Sequence, residues 1–424
     1  MKVTVIGAGS SYTPELVEGF LDRHDELPVS ELWLTDIDGE RLATVGSLAE
    51  RMAERSGAGV SVKRSTDIEE SVADASYIVT QIRVGGSQAR IRDEKLGFRN
   101  GIIGQETTGV GGFACALRTV PIVLAMARAI ERCAPDAFVI NFTNPSGIIT
   151  EALLRYGNVK VIGLCNAPIN MIMEIAKAAG VSRQQVGLDY VGLNHLSWIR
   201  GVSVDGTDIT EAARQGYLDH LETEEEGAAR EALARFVETT GLMPNGYLQY
   251  YYATQEVFAE QNAKDKTRGE EVVEIERELI AKYADPDLTE KPAELMKRGG
   301  AFYSTAAVDV MASIQQNKGD EQIVIARNGI SIPCLPAECS VEVPCRIDRD
   351  GAQPGECGDV EPEIRGLMQV VKAYEELTVN AAVERDRDAA LMAMVTHPLM
   401  PGIERCREIL DELLEINKEF LVGW

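Results

Sequence analysis

The sequence predicts an α/β protein in which a Rossmann-type doubly wound parallel sheet is followed by a second, α+β domain. Strand-like and helix-like segments alternate through the first third of the chain, as they do where crossover helices join parallel strands. Past residue 165 the pattern changes to hairpin-like strands and acidic helical runs. We therefore expect a first domain in residues 1–165 and a second in residues 166–424, and a chain of 424 residues is long enough for both.

The first third contains about six predicted strands with helical patterns between them. The strands are expected at residues 2–7, 31–37, 59–63, 76–82, 137–142 and 159–164. A long amphipathic helix is expected over residues 113–133. The stretch before it, residues 101–112 (GIIGQETTGVGG), is too rich in glycine for a helix interior and is typical of a functional loop.

The second domain is expected to mix a hairpin, helices and short strands. Residues 186–199 are predicted as a strand, and the turn at Asp205-Gly206 indicates a hairpin. Acidic helical runs fill residues 210–285, of which residues 221–226 (LETEEE) are expected to form a solvated helix face. Short alternating strands follow in residues 321–357, and amphipathic helices return after them.

Composition and charge narrow the function. With 45% hydrophobic and 26% charged residues, the composition is that of an ordinary globular protein, which excludes disordered and fibrous classes. Acidic residues outnumber basic ones by 67 to 42, so the formal net charge is −25 and no nucleic acid partner is expected. No uncharged apolar run reaches the ~20 residues of a membrane span. No signal peptide opens the chain, so we expect a cytoplasmic protein without a membrane partner.

A glycine-punctuated loop follows the first predicted strand and precedes a helix. Glycine allows a pyrophosphate to approach the backbone, and the helix N-terminus offers N–H donors to it. The residues expected to contact such a cofactor are Gly7, Gly9, Ser10 and Ser11. Asp36, at the end of the second strand, is placed to bind a ribose diol and favours NAD over NADP. Tyr12 stands where the third glycine of the fingerprint would be, so a simple tight turn is the alternative interpretation.

Two asparagines lie in the segment NFTNPSG, where the fifth predicted strand ends. The carboxyl ends of strands line the ligand crevice of open sheets, so Asn141 and Asn144 are candidates to face the nicotinamide or substrate hydroxyls. The alternative is that an asparagine caps the following helix.

Cys165 ends the sixth predicted strand, and His195 lies thirty residues further along the chain. A thiolate and an imidazole suit a transition metal, but their spacing is not one that a metal geometry demands. The alternative is a buried thiol and a structural histidine. Residues 244–252 concentrate four tyrosines, which are either packed side chains with polar tips or the source of a catalytic phenol.

The chain resembles the NAD-dependent family 4 glycoside hydrolases almost end to end. The resemblance is carried, in order, by GAGSSYTPE at residue 7, RVGG at 83, IGQETTGVGGF at 103, NFTNPSG at 141, IGLCNAPIN at 162, GLNHLSW at 192, YLQYY at 247 and KRGGAFYSTAA at 297. It implies a fold like that of lactate and malate dehydrogenases, bound NAD, a divalent metal that is typically Mn²⁺, and hydrolysis of glycosides that are often phosphorylated at the 6-position.

The resemblance also implies roles for single residues. Cys165 and His195 become the metal ligands, and Tyr247 the base, although Tyr250 or Tyr251 could be confused with it. Family members differ at the residue after the cysteine, and Asn166 is similar to the 6-phospho-β-glucosidases.

The acid that other members carry at position 166 is absent here, so Glu106 is the substitute proposed for the proton donor to the leaving group. Arg90 and Arg268, with Arg83 or Arg92 as further candidates, are expected to clamp the substrate phosphate or to lower the tyrosine pKa. The alternative is that these arginines form surface ion pairs.

The implied reaction oxidises C3 of the sugar with NAD, removes the C2 proton, eliminates the aglycone, adds water and reduces C3 again. The implied substrate is a phosphorylated disaccharide or β-glucoside, and a homodimer or homotetramer is expected. Alternatives are another family 4 specificity, such as a 6-phospho-α-glucosidase or an unphosphorylated glycosidase, and a 2-hydroxyacid dehydrogenase with His195 as acid and base. A non-enzymatic NAD sensor is a further alternative.

Overall fold

The computed structural model describes residues 1–223, 227, 229–298 and 302–424. The strands of the described residues are β1 Lys2–Ile6, β2 Glu31–Thr35, β3 Ser61–Ser65, β4 Tyr77–Thr80, β5 Phe138–Asn141, β6 Lys160–Gly163, β7 Val186–Leu193, β8 Leu196–Val204, β9 Thr207–Asp208, β10 Met243–Pro244, β11 Asp320–Arg327, β12 Ser340–Asp348 and β13 Gly351–Pro354. They form two sheets, and the first six make the parallel part of the larger one.

The helices of the described residues are α1 Thr13–Asp22, α2 Gly39–Ser56, α3 Ile68–Val72, α4 Gly86–Arg99, α5 Gly109–Cys133, α6 Ser146–Tyr156, α7 Asn166–Ala179, α8 Thr210–Thr223, α9 Arg230–Thr240, α10 Gln249–Tyr252, α11 Thr254–Ala263, α12 Arg268–Tyr283, α13 Tyr303–Gln316, α14 Pro362–Glu384, α15 Arg387–Thr396 and α16 Ile403–Ile416. Local signals start several of them. Thr267 and Glu270 form a reciprocal capping box at α12, and Asp38 caps α2 by accepting from Arg41 N. Of the predicted acidic helix face, residues 224–226 lie outside the described residues.

The parallel part of the sheet has the spatial order β3-β2-β1-β4-β5-β6. Its central strands are buried on both faces and read as continuous apolar or β-branched runs, such as Val3 to Ile6. One group of contacting helices contains α1, α2 and α13, and another contains α3, α5 and α6. The predicted doubly wound parallel sheet and its six strands are confirmed.

Three antiparallel strands from the C-terminal half extend this sheet. β11 pairs with β6 through Ile325 and Gly163, and β12 and β13 add beyond it, which gives nine strands among the described residues. Residues 320–354 therefore complete a sheet whose first strand begins at residue 2. The division of the chain at residues 165 and 166 stays a prediction.

The second sheet is antiparallel and has the order β10-β8-β7, with β9 paired to β8. The prediction of one strand over residues 186–199 was wrong, because the chain turns back between Leu193 and Leu196, which face each other across the hairpin. The turn consists of Asn194 and His195, and His195 has a positive φ of 64°. The predicted turn at Asp205-Gly206 does connect β8 to β9.

Helix α5 has the length and composition of a membrane span, and it is the only such helix in the described parts of the chain. Of its most apolar 18-residue stretch, 83% is buried inside the protein, which is typical of a core helix. The helix itself was predicted over residues 113–133, but its span-like length was not, because Arg118 interrupts the uncharged run. That guanidinium is buried and lies 2.6 Å from the carboxylate of Asp93.

Candidate active site

The loop after β1 forms a cradle at the N-terminus of α1. Gly7 has a φ of +88°, and a Cβ at this position would lie 2.8 Å from the backbone carbon and oxygen of Gln81. The N–H of Gly9 donates to Oδ2 of Asp36 at 2.7 Å, and a Cβ on Gly9 would lie 2.9 Å from the same oxygen. Only glycine fits this close approach of loop and acid. The cradle therefore fits a dinucleotide, with Asp36 at the position of a ribose-binding acid.

Other predicted cofactor contacts point into the protein. The Ser10 hydroxyl bonds within the loop, and the buried Ser11 hydroxyl donates to Glu276 at 3.2 Å. The Asn141 side chain is completely buried; it accepts from the Thr80 hydroxyl at 2.9 Å, and it donates to side chains at the start of α6. These contacts favour the alternative interpretation of Asn141, in which its amide holds the following helix, and they do not support a cofactor contact.

Cys165 and His195 face each other across the carboxyl edge of the sheet. Cys165 lies between β6 and α7, and its Sγ is 3.4 Å from Nε2 of His195. The other ring nitrogen, Nδ1, lies 3.1 Å from the Thr107 hydroxyl, which leaves Nε2 aimed at the sulfur. A thiol and an imidazole this close are suited to share a divalent cation. The described residues contain no cluster of three or more His, Cys, Asp or Glu, so this pair would leave coordination positions open.

Burial controls the protonation of the pair. It lowers the pKa of His195 to about 4, with partial opposition from Glu106, so the imidazole is neutral and able to act as a ligand. Burial raises the pKa of the Cys165 thiol to about 12, and Glu342 adds to the effect. Without a cation the sulfur therefore keeps its proton, and metal binding would release it.

Tyr247 is the tyrosine that joins this pair. Its ring stacks on the His195 ring with centroids 3.6 Å apart and an interplanar angle of 6°. The ring of Tyr250 is tilted and 6.2 Å from that of Tyr247, and the Tyr251 hydroxyl faces Nε2 of His397 at 3.4 Å. Burial raises the pKa of Tyr247 well above its ordinary value, and Arg90 opposes this rise. The geometry thus favours Tyr247 over its two neighbours.

Glu106 lies in a partly buried cluster with two arginines. Its two oxygens are 2.5 Å from Arg83 and 3.1 Å from Arg90, and Arg90 also contacts Glu94 at 2.7 Å. Burial by itself would raise the pKa of Glu106, but the two guanidinium groups outweigh it and hold the pKa at about 2. An ionised carboxylate has no proton to give. These surroundings argue against the proton-donor role predicted for Glu106.

The remaining predicted substrate contacts are scattered around the crevice. Asn144 lies between β5 and α6, and Asn166 is the first residue of α7, directly after Cys165. Arg268 is half exposed and pairs with Glu271 at 2.8 Å, so it does not join the arginine cluster around Glu106. Arg92 pairs with the exposed Glu419 at 2.8 Å. This is the surface ion pair of the alternative interpretation.

Three groups that support the site were not predicted from the sequence, namely Thr107, Asn194 and Glu342. Thr107 and Asn194 lie within the motifs IGQETTGVGGF and GLNHLSW, but polar residues in loops carry no signal that specifies a partner. Glu342 had a signal, because it is an acid inside the apolar strand β12, where its side chain is buried.

Comparisons with known proteins agree with this geometry. The family model described as family 4 glycosyl hydrolase matches residues 2–181, and the model of the C-terminal domain of the same family matches residues 190–400. The probable 6-phospho-β-glucosidase of Bacillus subtilis is 43% identical, over 99% of this chain and 97% of that protein.

Solved structures give the same result. The 6-phospho-β-glucosidase of Thermotoga maritima, solved with NAD and glucose-6-phosphate, is 38% identical and superimposes with a TM-score of 0.93 over 99% of both chains. The same enzyme has also been solved with manganese, NAD⁺ and glucose-6-phosphate. Malate dehydrogenase of Plasmodium falciparum is 17% identical, over 91% of this chain and 99% of that chain, and its TM-score is 0.55. This likeness confirms the predicted similarity of fold and nothing more. The chain belongs to the family 4 glycosyl hydrolases.

Proposed function

We propose that this chain hydrolyses 6-phospho-β-glucosides with the help of bound NAD and a divalent metal ion, Mn²⁺. The observation that carries the proposal is the convergence of Cys165, His195 and Tyr247 beside a dinucleotide cradle. The chain is also 43% and 38% identical to two 6-phospho-β-glucosidases. Asn166 after the cysteine supports the β-specificity by resemblance.

NAD and the metal ion would be held by different parts of the crevice. Gly7, Gly9 and Asp36 would hold NAD, which when bound supplies transient oxidation at C3 of the sugar and thereby makes the C2 proton acidic. Cys165 and His195 would hold the metal, which when bound supplies a Lewis acid at the same carbonyl.

Tyr247 is the group that would take the C2 proton. A base has to be deprotonated, and burial of this phenol works against that, so it needs positive charge beside it. Arg90 supplies part of that charge, and a cation held by Cys165 and His195 would add to it, because the His195 ring stacks on that of Tyr247. Arg83 and Arg90, which are partly buried and paired with Glu106, are the guanidinium groups of the crevice that would bind a sugar phosphate in this acidic protein.

We further propose that the protein is cytoplasmic and that its net charge of −25 disfavours nucleic acid and membrane partners. On the family resemblance, we propose that it assembles as a homodimer or homotetramer. The predicted contacts of Arg90, Asn144, Asn166 and Arg268 with substrate belong to the same proposal.

The decisive experiment is a turnover assay on a chromogenic 6-phospho-β-glucoside, its α-anomer and the unphosphorylated sugar, with NAD and Mn²⁺ omitted in turn. We expect turnover of the first substrate only, with both additions required and no net NADH formed. Net NADH accumulation on a 2-hydroxy acid would instead support the dehydrogenase alternative. Full activity of protein stripped of nucleotide would overturn the proposal.

The role of Tyr247 is tested in the same assay. The Tyr247→Phe variant should lose about 10²- to 10⁴-fold in kcat, the usual contribution of a general base. It should also stop the washout of a C2 deuterium label into solvent. The matched control is Tyr251→Phe, whose hydroxyl faces His397 instead, and it should keep most of the activity.

A further inference from the structure

Glu342 is a completely buried carboxylate at the junction of the two sheets. It lies on β12, which packs against β7. Its Oε2 accepts from the Tyr190 hydroxyl at 2.6 Å, and its Oε1 accepts from the Asn194 amide at 3.1 Å. Two side chains of the β7–β8 hairpin are therefore held by one carboxylate of the neighbouring sheet.

The first arm of this network runs to the metal-ligand pair. Asn194 immediately precedes His195 in the two-residue turn, and its amide helps to lower the pKa of the Cys165 thiol. Its side-chain oxygen accepts from the N–H of Gly147 at 3.3 Å. The amide thus ties the turn to α6 while Glu342 fixes its orientation.

The second arm runs to the base. The Tyr190 hydroxyl lies 2.5 Å from the Ser197 hydroxyl, which accepts from the Asn245 amide at 3.2 Å. The side-chain oxygen of Asn245 in turn accepts from the backbone N–H of Tyr247 at 3.0 Å. Tyr190, Ser197 and Asn245 are all buried, so the chain of hydrogen bonds is shielded from water.

The charge of Glu342 is also unusual. Every other buried Asp or Glu side chain in the described residues lies within 4.0 Å of a lysine or arginine, as the ion pairs of Glu151 and Glu276 illustrate. No Lys, Arg or His in that part of the chain forms an ion pair with Glu342. Burial without a partner cation raises the pKa of Glu342 to about 7, so its position in the fold is set by the hydrogen bonds from Tyr190 and Asn194 and not by an ion pair.

We propose that Glu342 is a positioning residue that sets the His195 imidazole and the Tyr247 phenol against each other. This inference rests on the proposed roles of His195 and Tyr247. Its two arms lead from one carboxylate to the turn that carries His195 and to the backbone of Tyr247. The two arms then hold the stacked rings, whose centroids are 3.6 Å apart, from both sides. Catalytic groups need such support, because small displacements from the productive geometry reduce the rate.

The test separates the two arms in the holoenzyme. Asn194→Ala should weaken Mn²⁺ binding, measured by electron paramagnetic resonance without substrate, by about 10- to 100-fold, as is usual when an outer partner of a metal ligand is lost. Tyr190→Phe should instead lower kcat and enlarge the isotope effect for C2-deuterated substrate, with a smaller effect on Mn²⁺ affinity. Glu342→Gln should do both, with NAD affinity unchanged because none of the hydrogen bonds of Glu342 reaches Gly9 or Asp36.

The control for Tyr190→Phe is Tyr77→Phe, which removes a buried hydroxyl bonded to the Met311 carbonyl at 3.2 Å, far from the crevice. Variants that fold are identified by wild-type NAD affinity. If Glu342→Gln and Tyr190→Phe bind Mn²⁺ and turn over like Tyr77→Phe while Tyr247→Phe is inactive, the inference fails and the proposed function stands. Full activity of Tyr247→Phe would overturn both the proposed base and the second arm.

Discussion

His195 occupies a backbone conformation that few residues other than glycine adopt. Its φ of 64° places it in the left-handed region, where a side chain with a Cβ pays of order 1 kcal/mol or more. Thr107 on one side and the Tyr247 ring on the other hold it there. A strained turn held by its neighbours is a common device for fixing a functional side chain.

The other histidine near the crevice, His397, predicts acid sensitivity. Burial against Tyr374 and Tyr251 lowers its pKa from 6.5 to about 3, so the unfolded chain takes up this proton first as the pH falls. Its stabilising contribution is complete above about pH 6.5 and is lost progressively toward the folded pKa. Between pH 7.5 and 5.5 the loss is about 1.4 kcal/mol for one such group.

We expect His397→Asn to remove this loss, because an amide keeps an acceptor for the N–H of Leu399 and does not titrate. Urea unfolding of the metal-free protein at pH 7.5 and 5.5 measures the free energy of unfolding of wild type and variant. The difference between the two free energies should be about 1.4 kcal/mol smaller at pH 5.5. The exposed His220→Asn serves as control. A gap that stays constant with pH would contradict the prediction.

Single residues of the site were predictable to different degrees. The thirty-residue separation of Cys165 and His195 gave no geometric reason to pair them, and only the resemblance to a family did so. Glu342 contacts Asn194 across 148 positions of the chain, and no local pattern reports a hydrogen bond over that distance. Glu106 was correctly placed beside the crevice, but its protonation depends on Arg83 and Arg90, which only the fold brings to it.

The glycine-rich loop and α5 act as one element. The side chain of Gln105 accepts from the N–H groups of Thr107 and Thr108 at 2.5 and 2.7 Å, which caps the entry to the helix. A Cβ on Gly112 would lie 2.4 Å from the carbonyl carbon and oxygen of Thr107. The first turn of α5 therefore supports the segment that carries Glu106 and Thr107.

Gly112→Ala should displace that segment. We expect a loss of about 1–3 kcal/mol in stability from overpacking, together with reduced kcat/KM because Thr107 moves away from His195. The urea midpoint and steady-state kinetics check both. The control is Gly366→Ala on α14, where a Cβ meets no atom within 4 Å. It should leave activity unchanged and stabilise by up to about 1 kcal/mol. Indistinguishable behaviour of the two variants would show that the loop is free to adjust.

Elements with strong periodicity were predicted well, and junctions between elements were not. β1 to β6 were expected because short strand-like segments alternate there with helical patterns. The break between β7 and β8 escaped notice because Asn194-His195 contains neither glycine nor proline and is flanked by apolar residues. The addition of β11 to β6 depends on the pairing of Ile325 with Gly163, for which a sequence has no local signal.

At the scale of the molecule, the two halves of the chain share one core. A single apolar cluster extends from Val3 to Leu421, and β11 to β13 close the edge of the sheet that β6 would otherwise leave open. The unfolding of the two halves is therefore expected to be coupled.

Trp33, on β2, provides the test. In a Trp198→Phe/Trp424→Phe double variant, the fluorescence of Trp33 reports the N-terminal half alone, and its urea transition should coincide with loss of the far-UV circular dichroism signal. The double variant is compared with wild type by circular dichroism to correct for any change in stability. A Trp33 transition at clearly higher urea than the loss of helix would mean that the first half folds independently.

Helix α5 has a consequence for how the protein is made. It leaves the ribosome long before α14, the C-terminal helix that packs against it, has been synthesised. At ordinary translation speeds that interval is on the order of tens of seconds. Throughout it, the nascent chain exposes a long apolar helix, so early burial against α4 and α6 or a chaperone has to shelter this helix until its partner arrives.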